Sequence, residues 1–135
     1  MRKLDERIFV AGQIRPEDLA EIKATGVTAI VNNRPDGEEP GQPDAAEMRA
    51  AALSAGLRYS HIPVASGFSA AQVEAMAAAL AEADGPLLAF CRSGTRSTFL
   101  WALAEKSRGE DGEALMRKAA LAGYDLRPIA GNLLD

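Results

Sequence analysis

The chain is poor in the residues that staple or metallate small proteins: among 135 residues there is one cysteine, Cys91, and one histidine, His61. A single cysteine excludes an intrachain disulfide, and one of each argues against a Cys/His zinc site, so no metal and no cofactor is expected. Basic charge is also in deficit. Fifteen Lys and Arg against nineteen Asp and Glu leave a formal net charge of −4, whereas a nucleic-acid surface needs a basic face to neutralise phosphates. Long apolar runs are missing as well. The N-terminus, "MRKLDERIFVAGQ", carries charges where a secretory signal would be apolar, and no stretch approaches the length of a membrane span. These absences lead us to expect a cytoplasmic protein with a reduced thiol and neither a nucleic-acid nor a membrane partner.

What is present suits one globular domain over residues 1–135, since 47% of the chain is hydrophobic and 25% charged. Four short runs read as strands: "RIFVAG" (7–12), "VTAIVNN" (27–33), "LRYSHIPV" (57–64) and "PLLAFC" (86–91). Helices separate them. Pro16, Glu17 and Asp18 suit a first helical turn, with Leu19 and Ile22 on its apolar face and Gly26 at its close. Asp44 with Glu47, and Ser69 with Gln72, have capping-box spacing. Two more helices are expected, one after the Cys91 loop, beginning near Arg96, and one from about Asp111 to Gly123. Strands that alternate with helices become parallel neighbours, because a parallel pair needs a crossover. The expected fold is a three-layer α/β/α domain around a mostly parallel sheet of four to five strands. Ligands of such sheets bind beyond the carboxyl ends of the strands. That rim carries two loops, "NNRPDGEEPGQPD" (32–44) and "CRSGTRS" (91–97).

The second loop has the makings of an anion pocket. Gly94 permits a turn in which successive N–H groups point inward, and the helix that follows adds its positive end. Such surroundings lower a cysteine's pKa from ~8.5 to roughly 3.5–7.5, which makes Cys91 a candidate nucleophile. Arg96, in the first helical turn, can fork onto two oxygens of a bound anion. Arg92, Ser93, Gly94 and Thr95 complete the binding loop, and Ser97 is the hydroxyl expected to bond the thiolate or help activate water. The alternative is that Cys91 is a packed small residue at a strand end, but the glycine, arginines and hydroxyls that follow at once favour the pocket. In the first loop, Arg34 is a candidate second clamp and Asp36 a candidate general acid, ahead of Glu38 and Glu39. Asp36 also suits a plain Pro-Asp-Gly turn. His61, on its strand, reads as structural, and Phe99 and Trp101 as core.

The segments "GQIRPEDL", "IVNNRPDGEEPGQP", "YSHIPV" and "LLAFCRSGTRST" together resemble the phosphatase-like domain of the beta-lactamase-hydrolase-like protein family, a bacterial group; the likeness runs from about residue 5 to 107, and "ALMRKAALAGYDL" also fits. The resemblance implies a fold similar to dual-specificity protein tyrosine phosphatases and a cysteine nucleophile. Members of the family are labelled both phosphatase-like and sulfurtransferase. Two departures matter. Tyrosine phosphatases carry C-x-x-G-x-x-R-S/T, whereas here Arg96 arrives one residue early, at the C-x-x-x-x-R spacing of rhodanese sulfurtransferases. The aspartate that follows I-P-V in the phosphatases is also replaced, because Ala65 and Ser66 stand there. Against a rhodanese, no G-H-I-x-G-A segment occurs and "YSHIPV" matches the phosphatase strand. The expected function is a cysteine-dependent hydrolysis of a small phosphorylated or otherwise anionic substrate through a phosphocysteine. Persulfide-forming sulfur transfer on Cys91 and a non-catalytic anion-binding domain are the alternatives.

Overall fold

A computed structural model describes residues 1–134 of the chain. Its strands are β1 (Arg2–Asp5), β2 (Ile8–Ala11), β3 (Ala29–Asn32), β4 (Arg58–His61) and β5 (Leu87–Phe90). Its helices are α1 (Leu19–Ala24), α2 (Ala45–Ser54), α3 (Ala70–Glu82), α4 (Thr95–Ser107), α5 (Gly112–Leu121) and α6 (Ala130–Leu133). The sheet runs in the order β1-β2-β5-β3-β4. Only the β1–β2 pair is antiparallel, and β2, β5, β3 and β4 run parallel.

Side chains alternate across a strand, so each inner strand feeds both layers. Ile8, Val10, Ala29, Val31, Leu87 and Ala89 point to one face, where Met76 and Leu80 of α3, Leu100 and Trp101 of α4 and Leu115 of α5 close the core. Ala11, Ile30, Leu88 and Phe90 point to the other, under Leu19 and Ile22 of α1 and Met48 and Ala52 of α2. All four residues of β5 are buried, as a strand covered on both faces requires. The fold is thus the expected three-layer α/β arrangement, and β1 supplies the fifth strand.

Helix starts follow the expected caps. Asp44 accepts from the Glu47 N–H, and Ser69 and Gln72 form a reciprocal capping box. Asp111 caps α5 through the Ala114 N–H. The segment Pro16–Asp18 differs from expectation: it forms a separate 3-10 turn before α1, with the Asp18 carboxylate turned back to the Arg15 N–H at 2.8 Å. Among the described residues no helix is long and apolar enough to cross a membrane.

Candidate active site

The carboxyl end of β5 delivers Cys91 to the rim of the sheet. Its N–H still donates to the Ala11 carbonyl at 3.3 Å, so the thiol leaves from the last rung of the ladder. Gly94 then turns the chain into α4 with φ +93°, a conformation that L side chains rarely adopt. A Cβ at this position would meet the Tyr124 hydroxyl oxygen, which packs against the loop. The Gly94 N–H donates to Cys91 Sγ at 3.1 Å. Unlike α2, α3 and α5, α4 begins without a side-chain cap. Its first N–H groups lack intrahelical acceptors, and the sulfur lies at this helix start, bonded by the N–H of the N-cap residue Gly94. The positive end of a thirteen-residue helix therefore serves Cys91.

The rest of the loop is held from outside. The Gln13 N–H donates to the Arg92 carbonyl at 3.3 Å, and a Cβ on Gly12 would lie 2.9 Å from that same oxygen. Tyr124 Oη donates to the Ser93 carbonyl at 3.2 Å, Ser93 Oγ to Thr95 Oγ1 at 3.1 Å, and Thr98 Oγ1 to the Gly94 carbonyl at 2.8 Å. Arg92, Ser93 and Thr95 are exposed at the rim.

Ser97 occupies a different place from the one expected. It is fully buried, and its single hydroxyl proton goes to Asn33 Oδ1 at 2.8 Å, so in this arrangement it has none to give a thiolate. Asn33 in turn donates through Nδ2 to the Ile62 carbonyl at 3.0 Å, and its backbone N–H bonds the Phe90 carbonyl. Ser97 and Asn33 tie α4 to the ends of β3, β4 and β5.

Arg96 is held by a carboxylate. Its Nη1 donates to Glu38 Oε2 at 2.7 Å and to the Val64 carbonyl at 2.6 Å, and its Nη2 donates to Glu38 Oε1 at 2.8 Å. Glu38 Oε1 also accepts from Arg34 Nε at 2.8 Å. Arg34, expected as a second anion clamp, is a buried brace instead: its side chain is 1% exposed, and it also donates to Gln13 and Glu39 at 2.9 Å each. Burial pulls the Arg34 pKa down, but Glu38 and Glu39 outweigh it and the net shift is upward. Arg96 is likewise raised, first by its hydrogen bonds to Glu38.

Between these guanidinium groups Glu38 is lowered from 4.5 to about 2, by Arg96 foremost and Arg34 with it, against an opposing desolvation. It is ionised at neutral pH and has no proton to donate. Asp36 Oδ1, for its part, accepts from the Ala45 N–H at 2.8 Å, at the start of α2. His61 Nε2 lies 2.9 Å from the Arg34 carbonyl, a structural contact. A groove of about 590 Å³ is lined by Met116, Tyr124 and Arg127 among others, and Tyr124 joins it to the outer side of the Cys91 loop.

The structure therefore gathers Cys91, Gly94 and Arg96, places Arg34 behind them, and engages Ser97 and Asp36 elsewhere. Residue-by-residue reading of the sequence gave no role to Asn33, Gln13 or Tyr124, and ranked Glu38 below Asp36. A clue to Glu38 existed, because Arg34 and Glu38 stand four residues apart in a loop bent by Pro35 and Gly37. Nothing local marks Tyr124, which reaches Ser93 across 31 residues of chain.

The model of the beta-lactamase hydrolase-like protein, phosphatase-like domain, matches residues 1–108. A beta-lactamase hydrolase-like protein of Agrobacterium fabrum is 41% identical over 108 residues, which are 79% of this chain and 25% of that protein. The chain thus spans about a quarter of the length of this curated relative. A crystal structure of a candidate phosphatase from Neisseria meningitidis is 33% identical, covers 98% of this chain and 94% of its own, and superposes with a TM-score of 0.83. A kinase associated phosphatase, crystallised with its catalytic-site cysteine replaced by serine, shares the fold at a TM-score of 0.70 and 15% identity, covering 95% of this chain and 78% of its own. The architecture is that of protein tyrosine phosphatases, and the chain belongs to the beta-lactamase hydrolase-like protein family, phosphatase-like domain.

Proposed function

We propose that the chain is a cysteine-dependent phosphatase acting on small phosphate esters. The observation that carries this reading is the sulfur of Cys91 at an uncapped helix start, 3.1 Å from the Gly94 nitrogen and beside an arginine held in place. In the first step the thiolate attacks phosphorus, an S–P bond forms, and the P–O ester bond breaks with its electron pair leaving on the oxygen of the alcohol or phenol. The loop N–H groups and Arg96 take the charge that develops on the remaining phosphoryl oxygens. Water then attacks the phosphocysteine, releasing inorganic phosphate and regenerating the thiolate.

Proton donation shapes the substrate range. A positioned acid typically contributes ~10²–10⁴-fold to expulsion of an oxyanion. Residues 65–68 hold no carboxylate, Glu38 is ionised and Asp36 is engaged at α2. Leaving groups that need little protonation, such as phenols, are the expected substrates. Aryl phosphate hydrolysis should be blocked by vanadate and lost in Cys91→Ser. Hydrolysis that survives this substitution would contradict the proposal.

One observation favours a second reading. Only four residues separate Cys91 from Arg96, a tighter ring than the five of tyrosine phosphatases. If the ring takes sulfur, incubation with thiosulfate should add one sulfur to the mass of Cys91. Oxyanion binding with neither reaction would identify a binding domain.

A further inference from the structure

We infer that Glu38 is a positioning residue: it takes the end-on edge of the Arg96 guanidinium and so turns the side edge, Nε and the second Nη2 proton, toward an oxyanion on Cys91. The inference rests on the reading of Cys91 and Arg96 as one anion site, and it follows from a count of protons. A guanidinium has five N–H groups in a rigid fork. Both Nη1 protons are used, on Glu38 Oε2 and the Val64 carbonyl, and one Nη2 proton is used on Glu38 Oε1. The Nε proton and one Nη2 proton remain, and these two are parallel, the pair that grips two oxygens of one anion. Cys91 is near enough to add to the upward shift of the Arg96 pKa, after Glu38.

Glu38 is built to stay in place. Its backbone N–H donates to Gln42 Oε1 at 3.1 Å, and Gln42 Nε2 donates to the Pro35 carbonyl at 2.8 Å, which braces the loop across its base. Its Oε1 is shared between Arg96 and Arg34, and Arg34 is itself buried and fixed by Gln13 and Glu39. Restraint thus passes along one series of contacts: Gln13 and Glu39 hold the buried Arg34, Arg34 holds Glu38, and Glu38 holds Arg96. A flexible arginine would have to be ordered each time an anion binds; this one is ordered beforehand.

The competing role for a carboxylate here is that of an internal anion that fills the site and must be displaced. The two roles predict opposite signs. Tungstate, a phosphate-sized oxyanion that requires no turnover, is the probe, titrated calorimetrically into wild type and Glu38→Gln at neutral pH. If Glu38 positions Arg96, Glu38→Gln binds tungstate about ten- to hundredfold more weakly, and kcat for an aryl phosphate falls while the thermal midpoint of the folded protein stays measurable. Tighter binding, or unchanged binding, overturns the inference. Should Glu38→Gln fail to fold, Glu38→Asp keeps the charge but is too short to span both arginines, and affinity intermediate between wild type and none is expected; wild-type affinity in that variant is equally contradictory. Tungstate binding by a wild type that hydrolyses nothing would defeat the phosphatase reading and leave this one standing. No tungstate binding by the wild type would remove the anion site and this inference with it.

Discussion

Two loops meet at the carboxyl rim of the sheet, and they are held by different forces. The Cys91 loop is a backbone device: one left-handed glycine, a helix start with no cap, and a tyrosine laid against it from the C-terminal segment. The loop after β3 is a charge device, in which Arg34, Glu38, Glu39 and Gln42 fix one another through side chains. A nucleophile held by a backbone amide, as Cys91 is by the Gly94 N–H, tolerates almost no change of path, whereas an arginine can be aimed by any carboxylate that reaches it. The first loop should fail by shape and the second by charge.

The largest effect expected is the complete loss of turnover in Cys91→Ser, with folding intact, since an alcohol of the same size replaces the thiol. Gly94→Ala tests shape directly. The positive φ and the collision with Tyr124 both oppose a Cβ, and a strained position of this kind costs roughly 1–3 kcal/mol. Turnover should fall further than the melting temperature alone would explain, because the displaced amide is the one on Sγ. Equal activity in this variant would mean that the loop path is not critical.

Charge is tested by acid. Glu38 has its folded pKa depressed from 4.5 to about 2, so its stabilising contribution is complete above the unfolded value and is lost as pH falls from 4.5 toward 2. Urea midpoints of wild type and Glu38→Gln should therefore differ at neutral pH by the equivalent of roughly 1–3 kcal/mol and converge across that window. A difference that persists down to the low end would show that charge is not what holds this loop. Smaller effects follow at the margins. Tyr124→Phe removes one hydrogen bond, to the Ser93 carbonyl, worth about 0.5–1.5 kcal/mol in chemical denaturation. Asp36→Ala removes the acceptor of the Ala45 N–H and should weaken the start of α2 by about 0.5–1 kcal/mol while changing turnover only a few-fold; a loss of 10²-fold or more would restore Asp36 to the role of general acid.

The difference between the loops also explains what the sequence disclosed. The inner strands, the caps Asp44, Ser69 and Asp111, and the Cys91 loop are local patterns, and local patterns survive in a one-dimensional string. β1 was not legible, because "RKLD" buries only Leu4 among charged neighbours and exists as a strand through its pairing with β2. Among Asp36, Glu38 and Glu39, three acids within four residues, composition cannot tell which turns inward. Arg34 looked like a clamp because arginine at a ligand rim usually is one. Its burial comes from packing between Gln13, Glu38 and Glu39, partners 21, four and five residues away. Ser97 was placed correctly in the first turn of α4, but its direction depends on Asn33, 64 residues earlier.

Transfer of phosphorus to Cys91 is the step on which the proposed activity depends. It is tested most directly by rapid acid quenching of the wild-type protein with a phosphorus-labelled aryl phosphate, followed by peptide mapping. Label is expected on the peptide that contains Cys91, with none in Cys91→Ser, and it should decay at the rate of phosphate release. Label on another residue, or turnover with no labelled intermediate, would contradict it.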